Sequence, residues 1–401
     1  MEDFSVVVIA KNEEKTLPRL LKSLEGVNEI IVVDTGSTDN TVEVAKSFGA
    51  KVESVGDRFI ETPTLEDIKT FKKRYGFKPS FTTESKLFNY AEARNYGMTL
   101  ASNDFVFQPD ADEEVEWDID EVRNILPFCD QLTYRFCFAH NPDGTPALEF
   151  AHCKFFRRSR GHWVKKVHEI VADREDITEQ ENLTRITYTD AIYLHHWQDF
   201  SSENRGNYLP KLEYAILEKE NDDRNTYYLA REYYYASQYK RAIDMFHKYL
   251  KMSGWKPERS QAYIFMGDCY KYMGDYDNAI LHFHKAMIED DSRREPFFAC
   301  AMAHAERGQP KSAIIYLKAA LEIPYNPHYY LNFMSIYDWE THEQLSYMYD
   351  KIGDYDNAQH HWLETLKARP ADARILSNGK WFCRKIEKEK GIKMPIVVGE
   401  V

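Results

Sequence analysis

The chain has 401 residues, of which 43% are apolar, so it is long enough for two or three domains and too apolar to be a disordered protein. Its formal net charge of −13 argues against general binding to nucleic acid or to an anionic membrane surface.

The first part of the chain alternates between strands and helices. Short β-branched runs predict strands at Ser5–Ile9, Glu29–Val33 and Lys51–Val55, and helical periodicity predicts helices at Glu13–Leu24 and Thr41–Phe48. This order predicts a parallel sheet wound with right-handed crossovers. Ligands of such sheets bind at the carboxyl ends of the strands.

Residues 56–87 break this rhythm, because they are charged and aromatic and contain two prolines. We interpret them as an insertion or lid with one helix at Leu65–Tyr75 that could cover an acceptor site. The core resumes with a helix at Asn89–Ala101 and a strand at Phe105–Gln108. Three more strands are predicted, at Gln131–Ala139, Ala151–Phe156 and Arg185–Leu194.

Two carboxylates, Asp110 and Asp112, follow directly on the strand at Phe105–Gln108. The loops at 10–13 and 34–40 also follow strand ends, so we expect all three loops to converge on one edge of the sheet. Asp is a hard oxygen ligand of the kind that a Mg²⁺ or Mn²⁺ ion carrying substrate phosphates requires. The alternative is an ordinary solvated acidic pair.

From Glu203 onward the sequence predicts only helices, and they repeat. Four alanines with similar surroundings are spaced by 37, 34 and 45 residues: Ala242, Ala279, Ala313 and Ala358. A spacing near 34 residues, with a large apolar residue four positions later, is typical of tetratricopeptide repeats. The sequence therefore predicts a solenoid of about four repeats, with an unrelated helical bundle as the alternative.

Compartment and redox state can also be predicted. No apolar run approaches the roughly 18–20 residues of a membrane span, and the N-terminus does not resemble a signal peptide. The six cysteines are scattered, without a C-x-x-C pair. We therefore expect a cytoplasmic protein with reduced thiols, without a disulfide frame or zinc knuckle.

Four segments, taken in order, resemble the family 2 glycosyltransferases of GT-A fold: residues 6–14, 30–41, 91–97 and 110–113. Residues 166–169 and the pair His195-His196 resemble a subgroup of that family. The subgroup contains lipopolysaccharide-core glucosyltransferases and bacteriocin peptide S-glycosyltransferases, and the latter also carry C-terminal helical repeats.

The resemblance implies an α/β GT-A domain at residues 1–202, with a Rossmann-like mixed sheet that is mainly parallel. An all-α tetratricopeptide-like solenoid would follow at 203–390, and a tail at 391–401. The implied ligands are a nucleotide-sugar donor, with UDP favoured, Mn²⁺ or Mg²⁺, and a glycan, lipid-linked glycan or protein acceptor. The repeats would bind a protein partner or a second copy of the chain.

The resemblance also implies a role for each site residue. Ala10, Glu13, Asp34, Arg94 and Asp110 would bind the nucleotide sugar, Asp112 and His195 the metal ion, and Glu169 would be the catalytic base. Mn²⁺ tolerates imidazole, and His195 is favoured over His196, which would point to the opposite face of the strand.

Most of these residues could instead have structural roles. Asp34 could cap a helix or brace its loop, and Glu13 could be a solvated glutamate in the first turn of a helix. Arg94 could be a surface or ion-pair residue, and Glu169 could pair with His168. Asp143 or Glu149 could be the base instead. Trp163 could stack on a sugar or lie in the core.

These features predict a metal-dependent, inverting glycosyltransferase. A nucleotidyltransferase is disfavoured, because Ala10–Glu14 is not the Gly-rich basic loop that triphosphate binding usually requires. A catalytically weak scaffold, which binds sugar nucleotides and whose repeats bind a protein partner, is the alternative to an enzyme.

Overall fold

The computed structural model describes residues 2–174, 184–197, 208–219, 221–327, 329 and 331–379. The chain forms two compact units, Met1–Glu232 with Pro327–Leu331 and Tyr233–Asn326 with Asn332–Val401. The predicted boundary at 202/203 and the predicted tail at 391–401 lie outside the described residues.

Twelve strands are described in the first unit. They are β1 (Phe4–Ala10), β2 (Glu29–Asp34), β3 (Lys51–Ser54), β4 (Ile60–Glu61), β5 (Leu87–Phe88), β6 (Phe105–Phe107), β7 (Glu113–Trp117), β8 (Gln131–His140), β9 (Pro146–Arg157), β10 (Gly161–Val164), β11 (Ile170–Asp173) and β12 (Ile186–His196).

The main sheet of this unit runs in the order β3-β2-β1-β6-β9-β8-β12-β7. Four of its neighbouring pairs are parallel: β2 with β3, β1 with β2, β1 with β6, and β8 with β12. The other three pairs are antiparallel. Val6, Val7 and Val8 of β1 are fully buried, as expected for a central strand covered on both faces. The predicted mixed, mainly parallel sheet is confirmed.

Seven α-helices begin in the described part of the first unit: α1 (Leu17–Ser23), α2 (Thr41–Ser47), α3 (Leu65–Tyr75), α4 (Tyr90–Thr99), α5 (Ile119–Ile125), α6 (Tyr208–Ala215) and α7 (Asp223–Tyr235). The prediction for α1 began four residues too early, because the amides of Thr16 and Leu17 bond to the carbonyl of Glu13 in a turn that precedes the helix. The bounds of α3 agree with the prediction. A capping box at Thr64 and Asp67 begins that helix, and Gly76 in a left-handed conformation ends it.

Helix α4 approaches the sheet closely through Gly97. A Cβ atom at this position would lie 2.6 Å from Cγ1 of Val7 and 3.2 Å from Cγ2 of Val33. Only glycine therefore fits between the helix and β1 and β2. This contact fixes the height of α4 over the sheet and so fixes the position of Arg94, one turn earlier on the same helix.

The predicted insertion at 56–87 is an ordered part of the first unit. It contains β4, α3 and the first residue of β5, and it buries Phe71 and Phe81 completely. The backbone amide and hydroxyl of Ser80 both donate to the Glu213 carboxylate on α6. Whether the segment covers an acceptor stays a prediction.

The second unit is built of helices, as predicted. After α7 they are α8 (Tyr239–Met252), α9 (Lys256–Tyr272), α10 (Tyr276–Glu289), α11 (Arg294–Glu306), α12 (Pro310–Leu321), α13 (Met334–Asp338), α14 (Glu340–Lys351) and α15 (Tyr355–Ala368). The prediction of helices alone was wrong at one point, because Asn332 and Phe333 form a short strand, β13.

The four repeat alanines have the environment that close helix packing requires. Each is fully buried, and they lie on α8, α10, α12 and α15. Helix α9 pairs with α10, α11 with α12, and α14 with α15. Among the described residues, no helix has the length and apolar character needed to cross a membrane.

Candidate active site

The loops after β1 and β2 converge, as predicted. The side-chain oxygen of Asn12 accepts a hydrogen bond of 2.8 Å from the amide of Thr38, and the amide of Asn12 donates to the Ser37 hydroxyl at 3.0 Å. The amide of Glu13 donates to the hydroxyl of Thr41 at 2.7 Å. The two loops therefore form one surface at the carboxyl ends of the strands.

Asp34 and Ala10 lie side by side at this edge, because β1 and β2 pair them in parallel register. Asp34 is buried, and its Oδ1 accepts a hydrogen bond of 2.8 Å from the amide of Ser37. The carbonyl of Ala10 accepts from the amide and the hydroxyl of Thr35. Asp34 thus braces its loop, and its Oδ2 receives no hydrogen bond from the described part of the chain.

Arg94 connects the loop that contains Asp110 to the segment that contains Glu169. Its side chain is 3% exposed, and Nε lies 2.7 Å from Oε1 of Glu169. The Nη2 atom forms an ion pair with Oδ1 of Asp110, and Nη1 donates to the carbonyl of Gln108 at 3.0 Å. One buried guanidinium therefore holds two carboxylates and the end of β6 in a fixed arrangement.

A second cation, Lys154, lies on the other side of Asp110. Its Nζ is 2.6 Å from Oδ2 of Asp110 and 2.6 Å from Oε1 of Glu113. Burial tends to raise the pKa of Asp110, but the charges of Lys154 and Arg94 outweigh it and hold that pKa well below its ordinary value. Burial raises the pKa of Glu113, despite the adjacent ammonium.

Sequence reasoning missed Lys154. It lies on β9 within the segment Cys153-Lys-Phe-Phe156, whose other residues are apolar. A lysine at a buried strand position indicates a buried acidic partner, because an unpaired ammonium there would be too costly. That signal was available from the sequence, although it does not identify the partner.

Asp112 faces His196 rather than His195. The Nε2 of His196 lies 3.0 Å from Oδ2 of Asp112, and its Nδ1 lies 2.9 Å from the carbonyl oxygen of Phe138. His195 lies against His140, with 3.1 Å between its Nδ1 and Nε2 of His140. The expectation that His195 shares a site with Asp112 is therefore corrected, because alternation along β12 turns the two histidines to opposite faces.

The pair of Asp112 and His196 fits a divalent cation. A carbonyl accepts only from a protonated nitrogen, so the contact with Phe138 keeps Nε2 of His196 facing Asp112, as in metal-binding histidines whose second nitrogen is held by the protein. Burial tends to lower the pKa of His196, but its bond to Asp112 raises that pKa to about 9. A cation bound between Nε2 and Oδ2 would therefore compete with a proton for the same position.

Glu13 adds a further acidic group to this region. Burial raises the pKa of its carboxyl, and the negative charges of Asp112, Asp110 and Asp39 raise it further, against a hydrogen bond from Thr16. The carboxylates of Glu13, Asp110 and Asp112 are therefore close enough to repel one another. A bound cation would relieve this repulsion.

Glu169 lies in a loop held by strained backbone and by helix α7. Lys165 and His168 both have positive φ, at 76° and 52°. The His168 ring stacks on Tyr228 with 3.8 Å between centroids, and Nε of Arg224 donates to the His168 carbonyl at 2.8 Å. Non-glycine residues in this conformation cost free energy and persist where the surroundings hold them. Glu169 pairs with Arg94 and not with His168.

Three further residues that the sequence offered as site candidates are already engaged in contacts within the fold. Trp163 lies in the core beneath Arg94, with 4.8 Å from the guanidinium carbon to the ring centroid, so it is not exposed to a sugar. Glu149 is 2% exposed and accepts hydrogen bonds from Arg135 and Tyr193. Asp143 accepts from Thr145 in the turn between β8 and β9.

The comparisons with known proteins agree with this architecture. A family model for glycosyl transferase family 2 matches residues 5–60, which contain β1, β2 and the two loops at the edge of the sheet. The first unit carries a family 2 glycosyltransferase domain. A tetratricopeptide repeat model matches residues 262–295, so the second unit carries at least one such repeat. Both parts of the predicted family resemblance are confirmed.

Individual relatives of this domain match over limited lengths. An uncharacterized glycosyltransferase of Rickettsia typhi is 31% identical over 136 residues, which cover 33% of this chain and 36% of that protein. A 4,4'-diaponeurosporenoate glycosyltransferase of Staphylococcus haemolyticus is 49% identical over 57 residues, 14% of this chain and 15% of that protein. Among solved structures, YrrB, a TPR protein with an unusual peptide-binding site, has 21% identity and a TM-score of 0.35, covering 45% of this chain and 85% of that one. The chain spans between 36% and 44% of the length of the first curated relatives it matches.

Proposed function

We propose that this chain is a metal-dependent, inverting glycosyltransferase that moves a sugar from a nucleotide donor, with UDP favoured, to a glycan, lipid-linked glycan or protein acceptor. The observation that carries the proposal is the guanidinium of Arg94, which links the carboxylate of Asp110 to that of Glu169 at the carboxyl edge of a family 2 domain. A donor-binding group and a candidate base are thereby held at fixed separation.

The donor would lie across the ends of β1, β2 and β6. Asp34 has an oxygen that could accept from the imide N–H of uracil, next to Ala10 and Glu13. Asp110 stays ionised between Arg94 and Lys154, so it can accept hydrogen bonds from ribose hydroxyls. These positions favour a uridine nucleotide.

Asp112 and His196 would hold a Mn²⁺ or Mg²⁺ ion, which supplies Lewis-acid charge to the departing diphosphate. The residues themselves keep the carboxylate and the imidazole 3.0 Å apart before the donor arrives. Neither residue would therefore have to move far to bind the same ion.

Glu169 would take the proton of the acceptor. In an inverting transfer, the acceptor oxygen or sulfur forms a bond to the anomeric carbon as the bond from that carbon to the diphosphate oxygen breaks. The electron pair leaves with the diphosphate, and the acceptor proton goes to the Glu169 carboxylate. Arg94 occupies Oε1 of Glu169, so Oε2 is the atom that would receive the proton.

The repeat unit would recruit a protein partner or a second copy of the chain. Stacked helix pairs of this kind form extended surfaces that bind peptides and subunits. The match at residues 262–295 and the buried alanines of α8, α10, α12 and α15 support this assignment.

Donor turnover without an acceptor tests the enzymatic proposal. The full chain would be incubated with UDP-, GDP- and CMP-linked sugars, with Mn²⁺, with Mg²⁺ or with EDTA, and scored for donor hydrolysis and for thermal stabilisation. We expect a response to one nucleotide class that EDTA removes.

Matched variants separate catalysis from binding. Asp112→Asn should abolish the metal-dependent response, and Glu169→Gln should lower turnover by about 10²–10⁴-fold while donor-dependent stabilisation persists. Asp120→Asn, at an exposed aspartate on α5, is the control and should behave like the parent chain. Absence of stabilisation and hydrolysis with every donor would overturn the proposal, and stabilisation without turnover would favour a scaffold that binds sugar nucleotides.

A further inference from the structure

A second cluster of metal-ligand side chains lies at the ends of β8 and β12. It consists of Cys137, His140 and His195, whose ligand atoms all lie within 4.8 Å of one another. Cys137 and His195 are neighbours in the parallel register of these strands. None of the three has a role in the proposed transfer reaction.

The position of His140 depends on an irregularity in β8. Strict alternation would turn residues 137 and 140 to opposite faces of the sheet. The pairing of β8 with β9 shifts register between Cys137 and Ala139 and again between Ala139 and His140. Such bulges redirect side chains, and this one brings the imidazole of His140 to the face occupied by Cys137 and His195.

The distances suit a tetrahedral metal ion. Nε2 of His140 and Nδ1 of His195 are 3.1 Å apart. Two imidazole nitrogens bound to one tetrahedral Zn²⁺ ion, each at about 2.0–2.1 Å, are separated by about 3.3 Å. A small movement of the two rings would let both nitrogens bind one metal ion. The Cys137 sulfur, which donates to the Ala139 carbonyl at 3.2 Å, would leave that contact to complete three protein ligands.

The second nitrogen of His195 lies near an acidic side chain. Nε2 of His195 is buried and has no hydrogen-bond partner in the part of the chain that the structure describes. Oε1 of Glu116 lies 3.6 Å from Nε2 of His195, within a small adjustment of the carboxylate contact that orients metal-binding histidines. The ring of His140 is held flat against Trp197, with 3.9 Å between centroids.

We propose that Cys137, His140 and His195 form a binding site for a thiophilic divalent cation such as Zn²⁺, separate from the predicted Mn²⁺ or Mg²⁺ site at Asp112 and His196. Sulfur with two imidazoles selects Zn²⁺ over the oxygen-preferring ions. Binding replaces the thiol proton of Cys137, which passes to solvent, with a sulfur–metal bond. The ion would join the ends of β8 and β12 beside the catalytic edge and leave one coordination position for water.

Cobalt substitution tests this site on the full chain. Metal-free, reduced protein would be titrated with Co²⁺ in the presence of excess Mg²⁺, which occupies oxygen-rich sites and does not bind thiols well. We expect a thiolate-to-cobalt charge-transfer band that saturates at one equivalent and disappears when Zn²⁺ is added. Absence of that band in the parent chain would overturn the proposal.

Four variants assign the ligands. Cys137→Ser should abolish the band, whereas Cys153→Ser, at a half-buried thiol on β9, should preserve it. His140→Gln should weaken Co²⁺ binding by at least about tenfold and should remove the rise in Tm that Zn²⁺ gives the parent chain. Asp112→Asn should leave the band unchanged, so failure of the transferase proposal would not imply failure of this one.

Two outcomes would contradict the ligand assignment. One is a band that survives in Cys137→Ser. The other is undiminished Co²⁺ affinity in a folded His140→Gln variant. This second test can be made even if the Cys137→Ser variant does not fold. In either case His140 and His195 would form only a hydrogen-bonded pair in the sheet.

Discussion

His196 and Asp112 lie in direct contact, with 3.0 Å between Nε2 of the histidine and Oδ2 of the aspartate. The adjacent His195 is turned to the opposite face of β12 and contacts His140 instead. This contact makes His196, rather than His195, the histidine that is positioned to share a metal ion with Asp112.

The two histidines should therefore differ in their effect on the metal requirement. We expect His196→Ala to raise the Mn²⁺ concentration needed for half-maximal donor hydrolysis by at least about tenfold, equivalent to about 1.4 kcal/mol. His195→Ala should change it by less than about threefold. Titrating both variants with Mn²⁺ checks this order, and the reverse order would restore His195 as the metal ligand.

Arg94→Lys should impair both binding and stability. A lysine ammonium is a point charge and cannot reach Asp110, Glu169 and the Gln108 carbonyl together, as the guanidinium does. We expect donor-hydrolysis kcat/KM to fall by about 10–100-fold and the free energy of unfolding to fall by about 2–4 kcal/mol. Urea denaturation and steady-state kinetics measure the two effects.

The control for Arg94 is Arg58→Lys. Arg58 is an exposed arginine that contacts the same helix, with 4.2 Å from its guanidinium carbon to the ring centroid of Tyr96. The Arg58→Lys substitution should leave both the kcat/KM of donor hydrolysis and the free energy of unfolding nearly unchanged. An Arg94→Lys variant with normal kinetics would mean that the linkage between the carboxylates is not needed for turnover.

Glu29 should make the stability of the first unit depend on acid pH. Burial tends to raise the pKa of Glu29, but hydrogen bonds from Lys51, Ser5 and Ser102 lower it to about 2. Because folding lowers this pKa, the ionised Glu29 carboxylate stabilises the folded state fully at pH values above its ordinary pKa of 4.5. This contribution is lost as the pH falls toward 2.

A glutamine variant isolates this contribution. We expect Glu29→Gln to be less stable than the parent chain at pH 7 by up to about 3 kcal/mol, and the difference to shrink between pH 4.5 and pH 3. Glu84→Gln, at an exposed glutamate, should show no such pattern. Urea midpoints at several pH values measure the difference in stability between the variant and the parent chain. A difference that does not vary with pH would contradict this role of Glu29.

Gly267→Ala should destabilise the second unit, although alanine is the better helix former. A Cβ atom at position 267 of α9 would collide with the ring of Phe283 on α10. Crowding of this kind costs about 1–3 kcal/mol and should exceed the gain of about 1 kcal/mol in helix propensity. Gly254→Ala is the matched control, since a Cβ there meets nothing within 4 Å. Denaturation of both variants checks the prediction, and a stabilised Gly267→Ala variant would contradict the tight α9–α10 contact.

Much of the architecture was predictable because its signals are local. The signals for β1, β2 and α3 lie within these elements or next to them: β-branched runs in the two strands and capping residues at the ends of the helix. The repeat alanines were also predictable, because a regular spacing reports a regular packing contact.

The partners of the charged residues were not predictable from local pattern. Lys154 reaches Asp110 and Glu113 across 44 and 41 residues, and Arg94 reaches Glu169 across 75. Alternation indicates that His195 and His196 face opposite ways, but it does not indicate which of them faces Asp112. That choice depends on the pairing of β12 with β7, which no short segment specifies.

The shared contact of Arg94 with Asp110 and Glu169 also limits how such an enzyme could be redesigned. A substitution at residue 169 that removes the side-chain oxygen bound by Arg94, unlike the glutamine variant, would release one arm of the guanidinium and weaken its hold on Asp110, which would bind the sugar nucleotide. Acceptor choice and donor affinity should thus change together when this loop is altered. Attempts to broaden the acceptor range would do better to begin at positions that do not touch Arg94.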